Sequence, residues 1–541
     1  MAEAARPRNG GGASRRGRPA RWAVETVAAL CAAALAVLLL AHLSATPRVW
    51  LLLYDGDSVL PALIAGSVRI GQGADWALSA VAFFPESAVY LALATLGLST
   101  QATLALNAVV NLLALYAALR LVAGAALPER TVGRPALALG AFAVFVGFGL
   151  LESSATRESL ETASLLATTT YYSATVIATV LTLGLLVRIV APARTRSAAR
   201  RLAVVLAVVT ALSVTTNPIA ALWFVAPLLA LAALALAARS APPQRAAAAS
   251  LALVLGAAIG ALLRLPLGDL LTAGPGDKVD LAGSAASARY YADLLAQRWN
   301  DGGWPVVVVA ALLLVLGAAA TVAGLRARQL EPTLVATASW LIPLVVVLGA
   351  IATGTQSPRY LQPVLFAPVL AVIAAPGLLA RHREAGSRER VRVRGERMPA
   401  RRLAGPLALT TAAALIAVGT VAGVSAARRL DAVDASVRCV VDWVEASART
   451  GVGTFWSVRA PKAYVSDPSR LVQVDSELSG YAWLVNRDDF VADRASFIVE
   501  SSDGVAPAVP AGLPRPQRID CGRYTILDYG RAVLRIAPEH S

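Results

Sequence analysis

LLLYDGDSVLPALI, residues 51–64, sets two acids, Asp55 and Asp57, directly behind the first long apolar run of the chain. A carboxylate there is either a solvated loop end or a group held at a membrane surface for chemistry. The surroundings decide what it meets, and they are lipid. The chain has 541 residues, 57% of them hydrophobic, with a mean hydropathy of +0.62. Several apolar runs can each cross a hydrocarbon core about 30 Å thick. Backbone groups in lipid must be satisfied within each segment, so the expected fold is an all-α polytopic bundle.

The net charge of +15 does not point to nucleic acid. The arginines sit in short clusters between apolar runs, where the positive-inside bias places them. Lysine is nearly absent, occurring only as Lys278 and Lys462. The three histidines, His42, His382 and His540, are scattered, which argues against a His-ligated metal or a Ser-His-Asp triad. Cys31 falls in the first apolar run and reads as a packing residue, while Cys439 and Cys521 share the polar C-terminal region. In an oxidising compartment those two are candidates for a disulfide.

Residues 1–22 form an Arg-rich, low-complexity tail, which keeps the N-terminus cytoplasmic. With the remaining Arg clusters also inside, crossings fall near 23–46, 101–122, 135–151, 171–190, 202–217, 218–238, 246–266, 305–325, 332–352, 361–380 and 403–427. That is about eleven spans in a plasma-membrane protein. The apolar segment 83–98 is then juxtamembrane or re-entrant. The membrane domain covers 23–427, with outer loops 47–100, 152–170, 267–304 and 353–360, and 428–541 is an extracytoplasmic domain. In that domain a helix over 431–447 with short strand-like runs (GTFWSV, RLVQV, SFIVE, YTILDYG) predicts a small α/β unit.

The acids of the outer loops each carry two readings. Asp57 or Ser58 could N-cap a helix over Val59–Ile70 that lies in the interface plane, or one Asp could be a general base. Glu86, in Phe83-Phe84-Pro85-Glu86, either favours its own helix N-terminus or lines an outer cavity. Arg157 and Glu161 have the spacing of a helical ion pair, while Glu158 could face a cavity. The run Thr168-Thr169-Thr170-Tyr171-Tyr172 either ends a helix or offers hydroxyls to a sugar or phosphate. Arg359, in QSPRYLQP at 356–363, is either a snorkelling anchor with Tyr360 beside it or a fork for a phosphate.

Together these residues resemble a known family. A first span, an acidic pair opening an amphipathic loop, and then a Pro-led apolar helix (Phe84-Pro85-Glu86) resemble the multi-span glycosyltransferases of the GT-C fold. The likeness is to protein-O-mannosyltransferase-like and aminoarabinose-transferase-like members, which use polyprenyl-phosphate-linked sugars. It runs over roughly 23–380, by layout more than by identity. It implies that Asp55 or Asp57 is the base or acceptor contact, that Arg359 with Tyr360 and Pro363 marks the donor phosphate, and that Glu158 is the second-loop acid. Two departures bear on the acceptor: Asp-Gly-Asp stands where Asp-Glu is usual, and Phe-Pro-Glu where Pro-Pro is usual.

The implied chemistry is inverting sugar transfer from a polyprenyl-phosphate donor to a glycan, lipid or protein acceptor. An Asp takes the acceptor proton, and Arg359, aided by Lys278 or Arg298, stabilises the leaving phosphate. Glu86 and Glu158 are supporting cavity acids. A divalent ion such as Mg or Mn is permitted by the DxD pattern but not demanded. A transporter or flippase of a lipid-linked intermediate, or a non-catalytic envelope scaffold, is the alternative. The enzyme predicts an outer cavity that brings Asp55 or Asp57 to Arg359 and Glu158; the scaffold predicts their dispersal.

Overall fold

The computed structural model describes residues 18–127, 133–192, 195–239, 241–272, 280–387, 400–502, 504–509, 511–531 and 533–540. Lys278, residues 1–17 of the Arg-rich tail and the arginines between 388 and 399 lie outside the described residues. Among the described residues, nine helices are long and apolar enough to cross a membrane. Arg134–Gly149 and Ala221–Ala237 are shorter apolar helices at positions where crossings are expected. Phe84–Ala94 has only 11 residues. At 1.5 Å per residue it covers roughly half the hydrocarbon thickness.

Small residues let the helices approach. Gly256 and Gly260 on the helix Pro243–Arg264 face the helix Arg196–Thr216 so closely that a Cβ at either would lie 2.6 Å from a carbonyl oxygen, of Ala207 and Ala211 respectively. This is the small-xxx-small contact by which membrane helices pack without a hydrophobic drive. Thr215 Oγ1 also donates to Gly260 O at 3.2 Å across the same interface.

The two ends of the bundle differ chemically. At one, Arg120 pairs with Glu25, Arg188 donates to Leu121 O at 3.4 Å, and Arg245 donates to Ala191 O. Arg120, Arg188 and Arg245 thus share one end of the bundle. At the other end lie the long loops and the C-terminal region.

In that C-terminal region, the helix Ala435–Ser447 is capped by Asp434, whose Oδ1 accepts from Ser436 N at 2.9 Å. It covers a five-stranded sheet ordered Leu471–Gln473, Gly451–Gly453, Phe497–Ser501, Tyr524–Asp528, Gln517–Cys521. The first three strands run parallel and the last two pairings are antiparallel. Cys439 and Cys521 form a disulfide, with Cα atoms 5.5 Å apart, that ties the helix to the edge strand. The first long loop adds its own strand to this region, Trp76–Ala77 pairing antiparallel with Val485–Asn486.

One expectation needs correction. GTFWSV is not a strand: the strand ends at Gly453, and Phe455–Tyr464 is a helix. Phe455, Val458, Arg459 and Lys462 are all buried at spacings of three and four, the period of a helix face. The helix expected over Val59–Ile70 spans Leu60–Arg69. It is packed between the bundle and the C-terminal region, with Leu60, Leu63 and Gly66 buried and Pro468 against Gly66.

Candidate active site

The site is built on the Asp55-Gly56-Asp57 turn. Asp55 Oδ1 accepts the Asp57 N–H at 3.0 Å, so the first acid shapes the loop that carries the second. No side chain caps the helix that follows, which removes the N-cap role for Asp57 and Ser58. Tyr171 OH also donates to Asp55 Oδ1 at 2.9 Å, and Arg157 Nη1 donates to Asp55 Oδ2 at 3.1 Å. Asp57 Oδ2 accepts from Arg359 Nη1 at 3.2 Å. The two acids thus face two different arginines.

The 168–172 run supports this turn from behind, while Tyr172 lines a cavity beside Arg359. Thr169 Oγ1 donates to Ser58 O and Thr170 Oγ1 to Asp57 O, both at 2.6 Å. Gln362 Nε2 then joins Tyr171 O, at 2.9 Å, to Arg359 O, at 3.0 Å. Arg359 is carried by a one-turn 3-10 helix, Pro358–Leu361, at the head of a span.

Residues 152–163 are not helical, so the expected Arg157–Glu161 pair does not form. The carboxylates of Glu152 and Glu161 are buried and are spent on the loop's own backbone N–H groups. Glu152 accepts from Ala163 N at 2.8 Å and Ser164 N at 2.7 Å, while Glu161 accepts from Ser153 N at 2.9 Å and Ser154 N at 2.8 Å. The two glutamates clasp the loop reciprocally. Buried Arg48 sits between them, 3.8 Å from Glu152 and 3.7 Å from Glu161, and donates to Ser154 O at 3.0 Å.

The helix Phe455–Tyr464 closes the site from the C-terminal side. Arg459 Nε donates to Gly56 O at 2.6 Å and Nη1 to Leu484 O, so the turn is gripped through its carbonyl. Burial pulls the Arg459 guanidinium down to about 10, so it stays charged at neutral pH. Trp456 stacks under Arg157, the guanidinium carbon 3.6 Å from the ring centroid.

Two adjoining cavities result. One, of about 340 Å³, is lined by Asp57, Arg359, Tyr360, Tyr172, Phe83 and Trp483 among others. The second, of about 430 Å³, is lined by Asp55, Trp50, Tyr54, Thr156, Ser501 and Arg523 among others. Arg157, Glu158 and Trp456 line both and form the partition. Asp55 is 4% exposed. Burial, with Asp57 beside it, pushes its carboxyl above the ordinary range, while Arg157, Tyr171 and the Asp57 N–H pull it back.

Asp55, Asp57, Glu158, Arg359 and Tyr360 therefore converge. Arg298 does not join them: it is held by Glu161 at 2.8 Å and Leu151 O at 2.8 Å, and lines neither cavity. Glu86 also lies behind the wall, where it accepts from Ala174 N at 3.2 Å at the start of the helix Ser173–Val190; burial pushes its carboxyl up to about 7. Sequence reasoning missed Arg48, Trp456 and Arg459 as parts of the site. The helical spacing of Phe455, Val458, Arg459 and Lys462 was the one signal that could have pointed to the closing helix.

No family model matches the chain, and no curated protein does. Solved structures do. ArnT from Cupriavidus metallidurans, bound to undecaprenyl phosphate, superposes with a TM-score of 0.50 at 13% identity, covering 96% of this chain and 99% of that one. The chain has the GT-C fold. The apo state of ArnT gives 0.48 at 14% identity over 88% of this chain and 94% of that one. The apo oligosaccharyltransferase of Archaeoglobus fulgidus gives 0.46 at 13% identity over 90% and 70%.

Within this GT-C fold the departure to Asp-Gly-Asp has a steric cause. A Cβ on Gly56 would meet Phe455 Cε1 at 2.8 Å and Trp456 at 3.1 Å. Gly56→Ala is therefore expected to cost about 1–3 kcal/mol by overpacking the contact between turn and closing helix. Limited proteolysis should cut the C-terminal region of the variant faster than that of the parent; equal rates would contradict the close approach. Each Asp engages a guanidinium, and among the described residues no three His, Cys, Asp or Glu gather as ligands.

Proposed function

We propose that this protein is an integral-membrane glycosyltransferase that moves a sugar from a polyprenyl-phosphate donor to an acceptor hydroxyl at the extracytoplasmic face. The observation that carries the reading is the meeting of Asp55, Asp57, Arg157, Glu158 and Arg359 on two cavities that share one wall. A donor of this class keeps its tail in lipid and its phosphate at headgroup level. Arg359, at the head of a span and beside the Phe83, Tyr172 and Tyr360 rings, suits that phosphate. Asp57 orients the Arg359 fork through the 3.2 Å contact.

Asp55 is the better-placed base. It opens on the cavity walled by the C-terminal region, where an acceptor has room and polar partners in Thr156 and Ser501. In the reaction the acceptor hydroxyl gives its proton to Asp55 as its oxygen attacks the anomeric carbon. The bond from that carbon to the phosphate oxygen breaks, configuration inverts, and the polyprenyl phosphate leaves with its new charge against Arg359. The transporter alternative lacks support: in the described long helices the charged residues stand near the helix ends, with none at mid-span to mark a pathway.

The test is binding of undecaprenyl phosphate to the purified protein in nanodiscs, followed by native mass spectrometry with undecaprenol as control. Saturable binding of the phosphate and not of the alcohol is expected. Equal uptake of both lipids would remove the donor reading.

A further inference from the structure

We propose that Arg157 is a donor-sensing gate on Asp55. It neutralises the base while the Arg359 cavity holds no anion, and it turns to a lipid phosphate when one arrives, releasing Asp55 for the acceptor. The inference rests on the glycosyltransferase reading and adds a regulatory step to the same site.

Three observations carry it. First, Arg157 is one of three residues that line both cavities, so one side chain can address the donor side and the acceptor side. Second, Arg157, like Arg359, is placed differently from three other arginines around the site. Arg48, Arg298 and Arg459 are each anchored on backbone carbonyls and are 2%, 7% and 1% exposed. Arg157 engages side chains: Asp55 at 3.1 Å, Glu158 at 3.5 Å and the Trp456 face at 3.6 Å, with 28% of its side chain exposed. Its neighbour Glu158 is 58% exposed, so this edge of the partition is open to solvent. Third, its removal from Asp55 leaves that carboxylate supported. Tyr171 OH and the Asp57 N–H remain on Oδ1, and only Oδ2 is freed.

The energetics favour an exchange of partners. A guanidinium fork binds phosphate and carboxylate oxygens with similar geometry, so Arg157 trades one anion for another. It can pivot over Trp456 without losing its aromatic support. Before the trade, Asp55 Oδ2 is occupied and is a poor proton acceptor. Afterwards the acceptor proton has somewhere to go, and only when a donor is present to be attacked.

The experiment reads Asp55 directly. Protein in nanodiscs is treated with a carbodiimide and glycine amide, and the modified carboxyls are located by fragment-ion mass spectrometry. Undecaprenyl phosphate should raise Asp55 modification several-fold, and undecaprenol should not. Arg157→Ala should be modified strongly without lipid. Arg157→Lys, which keeps the charge and is the milder change if the alanine variant folds poorly, should be intermediate and still respond. If undecaprenyl phosphate binds in an Arg359-dependent way yet leaves Asp55 modification unchanged, the gate is wrong and the donor site stands. Absence of phosphate-dependent binding would overturn both.

Discussion

Asp55→Asn is expected to lower sugar transfer roughly a thousandfold, within the range that general-base catalysis supplies. The amide keeps an oxygen for the Asp57 N–H and Tyr171 OH, so the turn should persist, but it cannot take a proton. Binding of undecaprenyl phosphate should be retained, because the phosphate is assigned to Arg359 in the neighbouring cavity. The pH profile carries the same assignment. Burial and the charge of Asp57 hold the Asp55 carboxyl above the ordinary carboxylate range. A base must be ionised, so activity should fall as pH drops through that raised value, with an acid limb above about pH 4. Asp57→Asn removes a neighbour that raises it, so the acid limb should move to lower pH. Removing the Arg157 charge should move it to higher pH. Initial rates over a pH series for the three variants decide this, and an acid limb that ignores both neighbours would assign the base elsewhere.

Arg359→Ala is the second large loss. Losing one charged donor aimed at a developing anion costs roughly a hundred- to thousandfold in related chemistry. Here it should appear in kcat/KM, with weaker binding of undecaprenyl phosphate. The substitution also strands Asp57, whose only described cationic contact is Arg359 at 3.2 Å. Arg359→Lys should recover part of the binding and less of the rate, because an ammonium restores the charge without the planar fork. Retention of full binding and rate in the alanine variant would contradict the phosphate assignment. Steady-state kinetics with a lipid-linked donor, beside native-mass titrations, measure both.

How far the sequence reaches is clearest in single residues. Asp55, Asp57 and Arg359 were legible because polar groups at the ends of apolar runs are expensive to keep there, and the resemblance to the GT-C layout singled out these ones. Glu86 and Arg298 carried the same signal and turned out to serve structure, one capping a neighbouring helix and the other tying two loops. Charge type and sequence position cannot separate the two cases. What separates them is whether the group's hydrogen bonds are consumed by backbone atoms, and that depends on which segments meet. Arg157 was misplaced for the same reason. Its spacing to Glu161 suited a helix, but Glu161 is used by the Ser153 and Ser154 amides and the loop folds around that demand.

The sequence by itself determined the membrane-spanning helical class and the GT-C layout. Hydropathy acts along the chain: each apolar run must be helical and lie in lipid whatever its neighbours do. Only the tertiary structure decided that Asp55 and Asp57 face separate cavities and that a C-terminal helix grips Gly56. It alone decided that Arg157 stands in the partition. Those contacts join residues 55–57 to 157, 359 and 456–459, separations over which no local pattern acts, and they exist only once bundle, loops and C-terminal region are packed together.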